Sequence, residues 1–406
     1  MSAGPSKKRA GEDVHPFFMK KARQSSLRWH KPFGGTCLYA TNLAPALSSK
    51  IAAFDLDGTL IKPSLGRGAV KKAPKGAPPA WDWWTPNKVP ETLQNLTQDG
   101  YSIVVISNQA IRSASLPAWK EKIGLVADAL PSVPFRLFAA TAKDGYRKPM
   151  PGMWNQLSTM FKEQGVEIDK SASFYVGDAA GRKADFAATD RMWALNVGLP
   201  FFTPEEYFLN QTTNTNYEIG FDVTTLLDLP RFSPDDKSII PDPKQLEVVL
   251  FVGYPGVGKS TVCRQYFTSA GYQRINQDTL GSRDKCMKAV ASALTTGTNN
   301  TNRDLQTRKF YIEIARKFDV PIRCFLFTGS RELAWHNNLY RALNLPPTVA
   351  SREEKHALVP EVAFNSFTQN YEEPNVSEGF SEIRKVNFVF EGTEEEKRYW
   401  SMWLHI

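Results

Sequence analysis

The sequence predicts two consecutive α/β domains whose sheets are largely parallel. Short apolar runs at Ile51–Phe54, 103–106, 173–176, Val248–Val252 and Ile322–Phe327 alternate with stretches of helical pattern. A segment rich in proline, aspartate and serine, 231–244, separates the third run from the fourth and reads as a linker. With 406 residues, 42% of them hydrophobic and 23% charged, the chain is long enough for two cores. The boundaries expected from this pattern are a first domain over 34–230 and a second over 245–406.

Ahead of the first run, residues 1–33 hold eight Lys or Arg against Glu12 and Asp13, so this stretch supplies +6 of the formal charge of +8. The remainder is nearly balanced, and attraction to a polyanion must come from local patches or from the tail. Without apolar periodicity the tail is expected to be disordered. Within it, Lys8-Arg9 and Lys20-Lys21-Ala22-Arg23 are separated by ten residues and match a two-part signal for a nuclear import receptor over residues 8–23, which predicts a nuclear protein. Val14, Phe17 and Phe18 have the spacing of a sliding-clamp-binding peptide, with Gly11 where that pattern wants Gln. No apolar run is long enough to span a bilayer, and the basic, polar start is not a secretory leader, so a soluble, non-secreted protein is expected. Cys37, Cys263, Cys286 and Cys324 lack the close pairing of zinc or disulfide frameworks.

The first run ends in chemistry. Asp55-Leu56-Asp57-Gly58-Thr59 puts one acid at the carboxyl end of a strand, a second two residues on, and glycine at the turn. Asp55 suits a nucleophile attacking phosphorus, and Asp57 a general acid and base for the leaving oxygen and for water. Behind the second run, Ser107 and Asn108 offer a hydroxyl and an amide to phosphoryl oxygens, and Lys148 supplies positive charge. The third run delivers Asp178, which with Asp55 and the Asp57 carbonyl gives the hard oxygen ligands that Mg²⁺ prefers, Asp185 standing behind them. This ordered set resembles the haloacid dehalogenase superfamily of aspartyl-phosphate phosphatases. Arg67, Lys71, Lys72 and Lys75 form a basic loop that either steers DNA or is simply solvated, and Trp81, Trp83 and Trp84 either stack on bases or pack in the core.

The fourth run leads into Gly253-Tyr254-Pro255-Gly256-Val257-Gly258-Lys259-Ser260-Thr261 and then a helical pattern, the context of a P-loop. Gly253, Gly256 and Gly258 let backbone N–H groups cup ATP phosphates, Lys259 reaches the outer phosphates, and Ser260 and Thr261 open the helix, with Ser260 a Mg²⁺ ligand. Asp278 is the candidate base for an acceptor hydroxyl, with a helix cap as the alternative. His336-Asn337-Asn338 and Arg341 lie in a polar helical segment read as a lid whose arginine meets transferring phosphoryl charge.

Read together, the two halves resemble the polynucleotide kinase 3′-phosphatase family from about residue 35 onward. The strings Val176-Gly177-Asp178-Ala179-Ala180-Gly181-Arg182, Asn196-Val197-Gly198-Leu199-Pro200, Asp278-Thr279-Leu280-Gly281 and Asn300-Thr301-Asn302 carry the likeness. The resemblance implies a phosphatase domain of haloacid dehalogenase type followed by a P-loop kinase domain. It also implies removal of 3′-phosphates from DNA ends and ATP-dependent phosphorylation of 5′-hydroxyls. One departure stands out: where the family has an apolar strand ending in Asp before the Asn-Thr-Asn string, this chain passes from Leu294 through Gly297, Thr298 and Asn299 straight into Asn300. That leaves three readings open: both activities, a phosphatase with an inactive P-loop module, and a DNA-end-binding scaffold without turnover. The catalytic residues of the first domain alone also fit a small phosphate monoester as substrate.

Overall fold

The computed structural model describes residues 26–63, 69–71, 74, 77–275, 285, 289, 290, 292, 304–352 and 356–406. The paired basic clusters, the clamp-type spacing, Arg67, Lys72, Lys75, Asp278, residues 293–303 and the string Asn300-Thr301-Asn302 lie outside them.

The first sheet comprises β1 (Leu27–Trp29), β2 (Cys37–Asn42), β3 (Ile51–Phe54), β4 (Ser102–Asn108), β5 (Phe135–Ala140), β6 (Phe174–Val176) and β7 (Phe201–Phe202). Their order is β1-β2-β5-β4-β3-β6-β7, with β5 through β7 parallel and β1 and β2 antiparallel at one edge. The apolar runs are continuous because both faces are covered. Ala52, Phe54, Ile103 and Val105 meet Val89 and Leu93 of α1 (Lys88–Gln98) and Ile123 and Val126 of α2 (Leu116–Asp128). Ile51, Ala53, Val104 and Ile106 face the other way, onto α3 (Gly152–Glu163) and Trp193 of α4 (Thr189–Val197). α5 (Pro204–Leu209) starts at a reciprocal cap in which the Thr203 hydroxyl accepts from Glu206 N–H and Glu206 accepts from Thr203 N–H.

Two expected boundaries move. Disorder was expected through residue 33, yet Leu27–Trp29 pairs with β2 and the Trp29 ring lies 5.8 Å from that of Trp119. Aromatic burial and a sheet edge hold this stretch despite its basic composition. The expected linker likewise contains β8 (Phe232–Ser233), an antiparallel strand of the second sheet. The fully buried Arg384 guanidinium fixes this segment by donating to the carbonyls of Pro234, Lys237 and Ser238.

The second sheet adds β9 (Val248–Val252), β10 (Ile322–Phe327) and β11 (Glu382–Val386) in the order β8-β11-β10-β9, with β9, β10 and β11 parallel. Around it lie α6 (Lys259–Val262), which continues as a π-helical stretch over Cys263–Thr268, then α7 (Leu305–Lys317), α8 (Arg331–Leu343), α9 (Pro347–Ala350), α10 (Glu361–Asn370) and α11 (Glu394–Trp400). Among the described residues β9 pairs only with β10 and forms an edge of the sheet. No described helix is long and apolar enough to cross a membrane.

Candidate active sites

Asp55 just after β3 and Asp178 just after β6 meet Lys148, from the segment between β5 and α3, and Asp190 from the first turn of α4. Carboxylate oxygens of Asp55, Asp178 and Asp190 lie within 4.8 Å of one another. Lys148, 2% exposed, donates to Asp55 Oδ1 at 2.5 Å, Asp190 Oδ1 at 2.7 Å, the Tyr175 hydroxyl at 2.8 Å and the Ile106 carbonyl at 2.9 Å. The glycine after Asp57 is required twice over: Gly58 has φ +87°, and a Cβ there would lie 2.2 Å from Asp178 Oδ2.

Asp190 was not foreseen. Its Oδ1 also accepts from Tyr175 and its Oδ2 from Ala179 N–H, so it is committed to holding Lys148 and the loop after Asp178. Asp185, expected behind the metal, instead accepts from the N–H groups of Ala180 and Arg182 and from the Arg182 guanidinium, which also pairs with Glu205. It shapes the loop rather than joining the acidic cluster. Asp57 also points elsewhere: Gln109 donates to its Oδ2 at 2.8 Å and Lys122 to its Oδ1 at 3.2 Å. That separation puts the Asp57 carboxylate outside the acidic cluster. Ser107 accepts from Gln109, and the Asn108 amide, expected on a phosphoryl oxygen, bonds both the N–H and the carbonyl of Lys148. Asn108 therefore aligns the lysine backbone. Gln109 was missed as well: it follows Ser107-Asn108 directly and Asp190 opens the helix after Gly177-Asp178, but neither had a motif to flag it.

Burial pushes Asp55 up to about 7, with Lys148 opposing and Asp190 and Asp57 adding to the rise. Asp178 is pushed up to about 8 by burial and then by Asp55 and Asp190. Burial pulls Lys148 down, but Asp190 and Asp55 outweigh it and raise the ammonium above its ordinary value. Asp55, Asp178 and Asp190 ionised, against one ammonium, leave the charge deficit of one divalent cation, and the donors are hard oxygens. The donors and the charge of Asp55, Asp178 and Asp190 suit a divalent cation such as magnesium. Without metal, both raised carboxyls bind protons more tightly in the folded chain than in the unfolded one. Their stabilisation is complete below the unfolded value and is lost as pH rises through about 7 to 8. In chelator the melting temperature should therefore be lower at pH 8.5 than at pH 6 by about 3 °C or more, the shift that ~1 kcal/mol gives a domain of this size. Mg²⁺ should restore more at the higher pH; a flat profile by differential scanning calorimetry would contradict the arrangement.

In the second domain the loop 253–258 follows β9 and α6 begins at Lys259. Gly256 has φ +83°, and a Cβ there would lie 2.7 Å from the Ala334 carbonyl, so the loop is pressed against α8. Lys259 donates to the carbonyls of Gly253 and Tyr254, and Ser260 Oγ accepts from Arg274 at 3.0 Å. Ser260 and Thr261 are exposed in the first turn. The segment expected to form a lid is a buried helix. His336 donates to the Trp400 carbonyl, Asn337 donates to the Gly256 carbonyl at 3.2 Å, and Asn338 bonds both backbone groups of Val359. Burial pushes the His336 imidazole down to about 4, as a neutral structural histidine. Arg341 lies one turn beyond Asn337 and near Arg264; partial desolvation of its guanidinium and then this like charge hold it below its ordinary value.

Trp81, Trp83 and Trp84 all pack against the first core, and Trp81 meets Trp83 edge to face at 5.0 Å.

Residues 50–208 match a family described as Polynucleotide kinase 3 phosphatase, and residues 248–374 one described as AAA domain. The chain is 38% identical over 362 residues to a bifunctional polynucleotide phosphatase/kinase of Schizosaccharomyces pombe, spanning 87% of this chain and 83% of that protein. A putative bifunctional polynucleotide phosphatase/kinase of Acanthamoeba polyphaga mimivirus is 29% identical over 392 residues, 86% of this chain and 87% of that protein. The polynucleotide 3′-phosphatase ZDP of Arabidopsis thaliana is 39% identical over 187 residues, 41% of this chain and 25% of that protein.

Proposed function

As a member of the bifunctional polynucleotide phosphatase/kinase family, the chain, we propose, processes DNA ends by Mg²⁺-dependent hydrolysis of 3′-phosphates at Asp55 and ATP-dependent phosphorylation of 5′-hydroxyls at the P-loop. The observation that carries the first activity is the buried contact of Asp55 Oδ1 with Lys148 beside Asp178, while the Asp57 carboxylate is held apart by Gln109 and Lys122. Asp55 attacks phosphorus, the bond to the 3′ oxygen breaks, and Asp57 delivers a proton to that oxygen. Asp57 then takes a proton from water, which attacks the acyl phosphate, releases inorganic phosphate and regenerates Asp55. Bound Mg²⁺ supplies charge neutralisation for an anion approaching an anion. Lys148 holds Asp55 in line, and Asn108 and Asp190 hold Lys148.

A polynucleotide substrate is supported by Phe186, 83% exposed one residue beyond Asp185 on the loop that follows Asp178, where it offers a flat face to a base. For the kinase, Lys259 and the loop N–H groups receive the ATP phosphates, Ser260 its magnesium ion, and Arg341 the charge developing during transfer. Asp278 is kept as the candidate base for the 5′-hydroxyl. A nuclear location is proposed from the paired basic clusters in 8–23; deleting them should leave a tagged protein in the cytoplasm.

The test of both activities is one incubation: a duplex bearing a 3′-phosphate and a 5′-hydroxyl, with ATP and Mg²⁺, both termini followed by mass spectrometry. Lys259→Ala should cut 5′-phosphorylation by about 10²-fold or more while 3′-phosphate release is unchanged. The edge position of β9 among the described residues favours a second reading, a phosphatase whose kinase is slow. Inserting an apolar strand ending in Asp before Asn300 should then raise kinase turnover, and an unchanged rate would reject that reading.

A further inference from the structure

We propose that the C-terminal segment of the second domain completes the first active site, with Asn196 as the positioning residue that carries its grip to Lys148. The inference rests on the phosphatase reading above. Asn196 lies in the last turn of α4, the helix whose first turn supplies Asp190. Its Nδ2 donates to the Pro149 carbonyl at 2.8 Å and to the Trp403 carbonyl at 2.7 Å, while its Oδ1 accepts from Trp403 N–H at 2.7 Å. A single amide thus ties the backbone of residue 403 to the residue bonded to Lys148. α4 holds this pair at two points roughly 9 Å apart along its axis, Asp190 taking the ammonium and Asn196 the carbonyl that follows.

The segment is itself anchored. The Trp400 indole donates to Asn337 Oδ1 at 2.8 Å, Asn344 donates to the Tyr399 carbonyl at 2.8 Å, and Asn155 of α3 donates to the Tyr399 hydroxyl at 3.4 Å. From the other side, Gly145 approaches α8 so closely that a Cβ there would lie 2.7 Å from the Leu343 carbonyl. The loop carrying Lys148 is therefore gripped by the second domain before and after the lysine. A buried ammonium that must meet Asp55 and Asp190 together tolerates little displacement, so losing one grip lowers turnover more than substrate affinity.

The test compares the intact chain with Asn196→Ala, Asn196→Asp and a chain ending after Trp400, on a 3′-phosphorylated oligonucleotide and on an aryl phosphate monoester. Asn196→Asp keeps the volume and the acceptor but turns both donations into repulsion between oxygens. Each variant should lose about 10-fold in kcat with KM within about twofold, on both substrates, and combining Asn196→Ala with the truncation should cost no more than the worse single change. Melting temperatures establish that the fraction assayed is folded. The proposal is overturned if folded Asn196→Asp or the truncated chain keeps kcat within about twofold of the intact chain, or if the two losses multiply. Asp55-dependent hydrolysis of the aryl ester with no action on the oligonucleotide would defeat the 3′-phosphatase reading alone, and the effect of Asn196 would still be decided on the aryl ester.

Discussion

Asp55→Asn should abolish 3′-phosphate release, by at least about 10⁴-fold in kcat, while leaving DNA binding near its original strength. The change keeps the volume and an oxygen for Lys148, so the two hydrogen bonds that fix the ammonium to Asp55 and Asp190 survive. It removes the negative oxygen that forms the bond to phosphorus, while Asp190 stays engaged by Lys148, Tyr175 and Ala179, and Asp57 by Gln109 and Lys122. The same substitution relieves repulsion with Asp178 and Asp190, so the metal-free variant should melt higher than the parent at pH 8.5. Single-turnover phosphate release and calorimetry measure both effects. Persistent release would move the nucleophile elsewhere.

Lys148→Met should produce the largest combined loss. Removing a fully buried ammonium strands Asp55 and Asp190, and breaking such a pair costs about 3–5 kcal/mol. For a domain of this size that lowers the melting temperature by roughly 10 °C. Because the lost charge also held the nucleophile, kcat assayed well below the melting point should fall by about 10³-fold. Mg²⁺ should recover part of the stability, since it neutralises the same carboxylates, but little of the turnover. A variant that regained both with metal would show that the lysine serves only to balance charge.

Asp55 and Asp178 were legible as a pair because each stands just beyond a short strand rich in apolar residues. β3 is bounded in sequence as it is in space, and its end places Asp55, buried, against Lys148. Strands β2 and β5 were missed, since Cys37–Asn42 and Phe135–Ala140 mix Tyr, Thr, Asn and Arg into their apolar pattern, and only pairing across the sheet reveals them. Asp190 and Gln109 escaped for a related reason: each acts by touching a residue far away in the chain, Lys148 and Asp57, and neither spacing nor composition encodes that distance. The polar string His336-Asn337-Asn338 misled in the opposite sense. Polar residues on a helix suggest solvent, but here each is buried with its partner supplied by another element, the loop at Gly256, the helix at Trp400 and the backbone at Val359.

Anyone dividing this protein into two pieces faces a choice of cleavage point that the proline-rich stretch disguises. A fragment starting at residue 245 would discard Phe232–Ser233 and the carbonyls of Pro234, Lys237 and Ser238, taking from the Arg384 guanidinium the acceptors of its hydrogen bonds. Such a piece would expose β11 as a raw border and invite association between copies. Cutting upstream of Arg231 keeps that border sealed.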